Sequence, residues 1–233
     1  MISKIHSGKD SSQMERLYDN GEYVLKAYDI FEHYKTYYAW GAFGSPANKK
    51  NRDRYEVPEA PADSFLFDCS GFAYKAIPWG WTGDRSKTYG GATYNKIPTD
   101  KPFPQLGEDI SEDFSSIQPG EVVYMPGHVG LYVGDGKVLE CTPAWDGGVQ
   151  MSECTNCGIK TGLKHKRKWT SHGKLPFIKY EIEVEAYTQA RFGEGLIAIA
   201  KRSGLTLQKI KELNPQIKAP MYLVRLGQNV RIR

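Results

Sequence analysis

The sequence predicts an α+β protein in two parts, a larger domain over residues 1–179 and a small β-α-α-β domain over 180–233. Three observations carry this. Apolar and aromatic residues recur at helical spacing from Glu22 to Tyr38, whereas Glu121 to Cys141 breaks into short strand-like runs at Gly-rich turns. A helical half followed by an antiparallel meander is the α+β pattern. Composition then shifts near Tyr180, and 233 residues exceed a typical single domain.

Residues up to about Gly21 read as polar and irregular. Val24, Leu25, Tyr28, Phe31 and Tyr34, with Ile30 beside them, define a helix over Glu22–Tyr38 that packs on the core. Gly41 and Gly44 are where it would break and where backbone could approach something closely. Residues 45–64 are polar and proline-bearing, a loop. Ser64 to Phe67 is extended, and a second helix begins at Cys69 and is stopped by Pro78.

That second helix puts a cysteine at its first turn, in Phe67-Asp68-Cys69-Ser70-Gly71-Phe72. The first N–H groups of a helix lack intrahelical partners and the helix dipole is positive there. A thiolate so placed is stabilised, its pKa falls, and nucleophilic sulfur is present near neutral pH. The competing reading is a buried cysteine acting as a small hydrophobe. The stretch from Pro78 to Gly107 holds Trp79, Trp81, Tyr89, Tyr94 and Phe103 among many Gly and Pro, and reads as one wall of a groove.

The meander carries a histidine and a carboxylate. Glu121–Tyr124, His128–Val133 and Lys137–Cys141 are strands, with Gly134-Asp135-Gly136 as a hairpin turn. A cysteine nucleophile needs a base, and the base an orienting partner. His128 and Glu140 are the candidates; the competing readings are a solvent-facing histidine and an exposed charge. A strict two-residue turn at Asp135-Gly136 puts them on opposite faces. A three-residue loop with Gly136 left-handed puts them on one face, and direct contact also calls for a bulge or strong twist.

Bulk properties exclude several classes. An apolar fraction of 40% supports a real core and argues against disorder. The net charge of +4 suits approach to an anionic surface and falls short of the concentrated basicity of a nucleic-acid binder. No run of apolar residues is long enough to span a bilayer. Met1 to Asp10 has no apolar core of a signal peptide, so the chain as given is expected to be made and left in the cytoplasm unless another route exports it. Four cysteines (Cys69, Cys141, Cys154, Cys157) are too few and too uneven for a disulfide scaffold.

Four motifs in order, Tyr38-Ala39-Trp40-Gly41, Phe67-Asp68-Cys69-Ser70-Gly71-Phe72, Pro119-Gly120-Glu121-Val122-Val123 and His128-Val129-Gly130-Leu131-Tyr132-Val133-Gly134, resemble the NlpC-type cysteine peptidases that cut bacterial peptidoglycan. The resemblance covers roughly residues 22–180. It implies a papain-like fold, Cys69 as nucleophile, His128 as general base, Glu140 as third polar residue, and Tyr38 near the carbonyl under attack. Many members have His, Gln or Asn where this chain has Glu140, and Glu is also similar to the related CHAP amidases and peptidases. Lys168 to Pro176 resembles the closing segment of phage-encoded lysins. N-acetylmuramoyl-L-alanine amidase chemistry, or wall binding without catalysis, are the rival functions.

Cys154-Thr155-Asn156-Cys157-Gly158 has the shape of a zinc knuckle that Cys141, His165 or His172 would complete, but the second Cys pair of a zinc ribbon is missing. No cofactor is otherwise expected. The basic run Lys164 to Lys168 reads as a solvated loop.

In the small domain, Ile182–Tyr187 reads as a strand, Gly193–Gly204 as a helix, Thr206–Leu213 as a second helix capped by Thr206, and Val224–Ile232 as the last strand. Gly193 to Ala200, Leu213 to Ile217 and Leu226 to Ile232 resemble a LysM module. That resemblance implies a groove for N-acetylglucosamine-containing glycan at Gly193, Glu194, Gly195, Leu196, Asn214, Pro215 and Ile217. Glu194-Gly195 replaces the usual Asp-Thr or Asp-Ser, which removes a sugar-contacting hydroxyl.

Overall fold

A computed structural model describes residues 18–87, 101–180, 187–189, 195–203, 207–214, 217 and 229–232. The chain divides into two compact units, Met1–Ile182 and Glu183–Arg233.

In the first unit β1 (Tyr18–Asp19) runs directly into α1 (Asn20–His33), because the Asp19 carboxylate accepts the Glu22 N–H at 2.7 Å and caps the helix. Tyr23, Val24, Ala27 and Ile30 face the core, while Leu25 points to solvent. The helix is shorter than its apolar spacing predicts. It ends at His33, Tyr34 is extended, and Thr36–Tyr38 forms strand β2. A β-branched residue followed by two tyrosines suits a strand once a partner edge is available. β3 (Phe43–Pro46) and β4 (Phe65–Phe67) supply it, in the sheet order β2-β4-β3, and α2 (Lys49–Arg54) occupies part of the expected loop.

After β4 the chain turns helical at Cys69 and continues as a π-helix over Gly71–Lys75. Asp68 holds that turn. Its Oδ1 accepts the Gly71 N–H at 2.5 Å and the Ser70 hydroxyl at 2.9 Å, and its Oδ2 accepts the Gly41 N–H at 2.9 Å. Phe72, Ala73 and Tyr74 anchor the helix in the core. Of the aromatic stretch that follows, residues 88–100, including Tyr89 and Tyr94, lie outside the described residues. Trp81 packs edge-on against Tyr34 and Phe65 and serves the core, whereas Phe103, though buried, lines a cleft with Lys101, Pro102, Pro104 and Gln105, so the end of this stretch does form a groove wall.

A short α3 (Phe103–Leu106) leads to the main sheet: β5 (Glu108–Ser111), β6 (Val122–Met125), β7 (His128–Gly134), β8 (Lys137–Thr142), β9 (Gly148–Cys154), β10 (Lys166–Arg167) and β11 (Ser171–Lys174). Their order is β10-β9-β8-β7-β6-β11-β5. Every pairing is antiparallel except β10 with β9. One face, through Val129, Leu131, Leu139 and Cys141, packs with α1 and the Cys69 helix. The other, through Val123, Tyr132, Val138 and Cys154, packs with Phe114, Ile117 and Trp169.

One segment differs from expectation. The basic run at 164–168 is no open loop, since Lys166–Arg167 forms the edge strand β10 on Glu153 and Cys154. The segment similar to lysin tails supplies β11, inserted between β6 and β5. Its His172 is buried, with Nδ1 at 2.5 Å from Glu121 Oε2 and Nε2 at 2.8 Å from the Asp113 carbonyl. Burial works against charge on His172, but the Glu121 bond, the Asp113 carbonyl and the negative charge of Glu121 together outweigh it and the pKa is raised. β12 (Ile178–Lys179) then pairs in parallel with β1.

In the second unit β13 (Tyr187–Gln189) pairs antiparallel with β14 (Asn229–Arg231), with α4 (Leu196–Arg202) and α5 (Leu207–Leu213) between them in sequence. Leu196, Ile199, Ala200, Ile210, Ile217 and Val230 form its core. The expected helix ends at Gly204 and Thr206 lie outside the described residues. No helix among the described residues is long and apolar enough to cross a membrane.

The sharpest test of this packing is Gly71. A Cβ there would lie 2.0 Å from the Ala42 carbonyl oxygen, a backbone atom that cannot swing aside. Gly71→Ala is expected to cost about 3 kcal/mol, read as a lowered denaturant midpoint. An unchanged midpoint would contradict the close contact between the Cys69 helix and the chain before β3.

Candidate active site

The hairpin between β7 and β8 decides the site. It keeps a two-residue turn, with Asp135 and Gly136 both at positive φ (51° and 71°). Gly134 pairs with Lys137, yet Tyr132 pairs with Val138 and Leu131 with Leu139. One residue, Val133, is therefore extra in β7. This bulge reverses the parity, places Gly130 opposite Glu140, and leaves His128, two residues from Gly130, on Glu140's face. The sequence calls for a three-residue loop to bring the pair to one face, with a bulge or twist only for direct contact; the structure instead keeps the two-residue turn and reaches one face through the bulge.

His128 Nε2 lies 2.6 Å from Glu140 Oε2. Glu140 is fully buried, and its oxygens also accept from Ser152 Oγ at 2.5 Å and from Arg167 Nε at 2.9 and 3.1 Å. Burial pushes the Glu140 carboxyl up, but the hydrogen bonds from His128, Arg167 and Ser152 outweigh it, and its pKa lies below the ordinary value. Trp169 stacks on the His128 ring, centroids 5.5 Å apart and planes 17° from parallel.

Cys69 and His128 line one cleft of about 610 Å³, together with Asp68, Tyr74, Lys75, Lys101 and the exposed Trp40. The thiol does not behave as its helix-end position suggests. Burial, and then the Asp68 charge, hold its pKa above the ordinary thiol value, against smaller opposing contributions from the backbone N–H groups of Val129, Ser70 and Cys69 itself. Desolvation of the sulfur exceeds what one short helical turn returns. Tyr38, at the end of β2, feels the charges of Cys69 and Asp68; burial first, and those charges next, push its phenol up to about 12. Tyr38 is thus a hydroxyl donor across the neutral range.

The remaining cysteines have local roles. Cys141 is buried and donates to the Phe67 carbonyl at 3.3 Å. Cys154 hydrogen-bonds Cys157, which lowers the Cys157 thiol to about 7 and raises Cys154. Among the described residues no group of three or more His, Cys, Asp or Glu is placed to hold a metal ion. The proposed completing ligands are engaged elsewhere: His172 with Glu121, and His165 with Asp146 at 3.3 Å and the Trp145 ring.

Of the residues expected to hold glycan, Gly193, Glu194 and Pro215 lie outside the described residues. Gly195 precedes α4 in extended conformation. Leu196 and Ile217 are buried in the core of the second unit, and Asn214 is buried with its Nδ2 on the Ile210 carbonyl at 2.9 Å. The side chains of these three pack the second unit.

Arg167, Ser152 and Trp169 escaped the sequence reading. Arg167 sits in a lysine-rich run that looks solvated, and Ser152 in a strand of ordinary composition, so neither carries a local signal; only the pairing of β10 with β9 brings Arg167 to Glu140.

Residues 35–168 match the model of the NlpC/P60 family, and residues 191–233 match that of the LysM domain. The P60 domain of an antigen from M. avium subspecies paratuberculosis is 20% identical with a TM-score of 0.39, over 69% of this chain and 96% of that one. The peptidoglycan hydrolase RipB from Mycobacterium tuberculosis is 21% identical with a TM-score of 0.40, over 69% and 66%. NlpC2 from Trichomonas vaginalis is 17% identical with a TM-score of 0.37, over 67% and 46%. No curated protein sequence matches.

The thiol electrostatics give a direct expectation. Under limiting iodoacetamide at pH 7, Cys157 is modified first, Cys69 gains as pH rises, and Cys141 and Cys154 stay protected. Peptide mass spectrometry reads the order; early modification of Cys141 would contradict the burial described.

Proposed function

The chain belongs to the NlpC/P60 family and carries a C-terminal LysM domain, and on that premise we propose that it hydrolyses an amide bond in the stem peptide of bacterial peptidoglycan, with Cys69 as nucleophile, His128 as general base and Glu140 as the partner of the imidazole. The observation that carries this reading is the His128–Glu140 contact of 2.6 Å on the wall of the cleft that also holds Cys69.

Because His128 commits Nε2 to Glu140, Nδ1 is the nitrogen left for the Cys69 proton. Cys69 is held as a thiol by burial, so a base is needed at the moment of attack. The thiol proton passes to His128 Nδ1 as sulfur bonds to the scissile carbonyl carbon. Backbone N–H groups at the Cys69-Ser70 turn and the Tyr38 hydroxyl face the oxyanion. The imidazolium then gives its proton to the leaving amine as the C–N bond breaks, which leaves a thioester. Water, deprotonated by His128, attacks the thioester carbonyl and releases the acid and the Cys69 thiol.

The cleft chemistry suits such a substrate. Lys75 and Lys101 line it, while the Asp68 carboxylate is occupied by Gly41, Ser70 and Gly71, so the groove offers net positive charge to the carboxylates of a stem peptide. The LysM domain holds N-acetylglucosamine-containing glycan and raises the concentration of the peptidase unit on the wall. Lysis of bacterial cells by a phage endolysin is the setting that suits the likeness of Lys168–Pro176 to lysin tails. Amidase cleavage between the muramoyl lactyl group and L-alanine is the second reading, favoured by the carboxylate at Glu140.

Clearing of purified walls tests the proposal. Wild type lowers turbidity, Cys69→Ala does not but still pellets with walls, and Glu140→Gln lowers kcat by about 10²–10⁴-fold. Equal clearing by wild type and Cys69→Ala would end the assignment. Mass spectrometry of the released fragments separates peptide–peptide from muramoyl–alanine cleavage.

A further inference from the structure

Glu140 has two nitrogen partners, His128 and Arg167, and the Arg167 Nε reaches both carboxylate oxygens, at 2.9 and 3.1 Å. The Arg167 side chain is only 19% exposed. Its guanidinium lies 4.6 Å from the Trp145 ring centre and 5.6 Å from that of Trp169. Trp169 in turn stacks on His128, and His165 stacks on Trp145 at 4.5 Å and 15°. A column His165–Trp145–Arg167–Trp169–His128 thus runs from the protein surface to the imidazole. The Cys154–Cys157 turn holds its backbone: Thr155 Oγ donates to the Arg167 carbonyl at 3.2 Å, Asn156 Nδ2 to the Trp169 carbonyl at 3.0 Å, and Trp169 N–H to Asn156 Oδ1 at 2.8 Å.

Building on the peptidase reading of the site, we propose that Arg167 is a positioning residue that locks Glu140 toward His128 and shares its charge, so that the imidazole is oriented without being trapped in its protonated form. A fully buried carboxylate with one imidazole partner favours imidazolium strongly, and a permanently protonated His128 takes no proton from Cys69. A second, permanent cation on the same carboxylate weakens that pull, and the planar guanidinium between two indoles has little freedom to leave.

The charged surroundings leave Glu140 as the route of this effect. Glu140 is faced by His128 from β7, Arg167 from β10 and the uncharged Ser152 from β9. Glu153, the other acid near β10, is turned to Thr161 and Lys166, and His165 to Asp146. The titratable groups that share the cleft with His128 are Cys69, Asp68, Tyr74, Lys75, Lys101 and Tyr124. Arg167 Nη1 also meets the Met125 sulfur, at 3.9 Å.

The test is NMR titration of the His128 imidazole in the full chain, assigned with His128→Gln, for wild type, Arg167→Gln, Arg167→Lys, Glu140→Gln and the Arg167→Gln/Glu140→Gln pair. Arg167→Gln should raise the midpoint by about one pH unit. Arg167→Lys, which returns the charge without the planar fork, should raise it by less than half as much. In the Glu140→Gln background, Arg167→Gln should add no rise. The acid limb of kcat/KM on wall fragments should move upward with the midpoint in Arg167→Gln, with KM nearly constant. An unmoved midpoint in Arg167→Gln, an equal rise in Arg167→Lys, or a rise that persists without Glu140 overturns the proposal. If Arg167→Gln fails to melt cooperatively, the Arg167→Lys midpoint and acid limb decide. Loss of wall hydrolysis in wild type would sink the peptidase reading, while the titration still reports on Arg167.

Discussion

Side chains alternate along a strand, so residues twelve apart across a tight hairpin meet on one face only if one strand carries an extra residue. Val133 is that residue. Without the bulge the His128 ring and the Glu140 carboxylate would point to opposite sides of the sheet, one into each hydrophobic layer. With it, a buried carboxylate acquires its imidazole partner, and the strap carrying Arg167 and Trp169 closes over both. The two-residue turn tolerates this because Asp135 and Gly136 accept positive φ.

Much of the architecture was legible in the chain itself. The helix-then-meander order, the strands around His128 and Glu140, and the β-α-α-β order of the C-terminal unit follow from periodicity and turn residues. The end of α1 did not, because Tyr34 to Tyr38 continue an apolar spacing that suits either a helix or a strand. The choice was made by the β4 edge, a partner distant in sequence. Glu140's surroundings were illegible for the same reason. Arg167 reaches it through a parallel pairing of two short strands, and nothing in a run of lysines and arginines marks which one is buried.

The thiol is where local reasoning and the folded environment part most clearly. A cysteine at a helix start should ionise readily, yet the core that seats the helix also strips water from the sulfur, and Asp68, which ties the turn to Gly41, adds its own negative charge. The group that makes the turn rigid thus opposes the thiolate, and this gives the base a task. The Cys154–Cys157 pair shows the reverse case. It has the spacing of a metal site, but its turn serves as a clamp on the backbone of Arg167 and Trp169.

Capture of the acyl-enzyme tests the central claim most directly. A stem-peptide substrate is mixed with the protein, quenched in acid within a single turnover, and the digested chain is read by mass spectrometry. The account predicts the added mass of the acyl fragment on the peptide containing Cys69, and slower formation of it in Glu140→Gln. Wall fragments released in the same samples, with the adduct on Cys157 or on no cysteine at all, would contradict it.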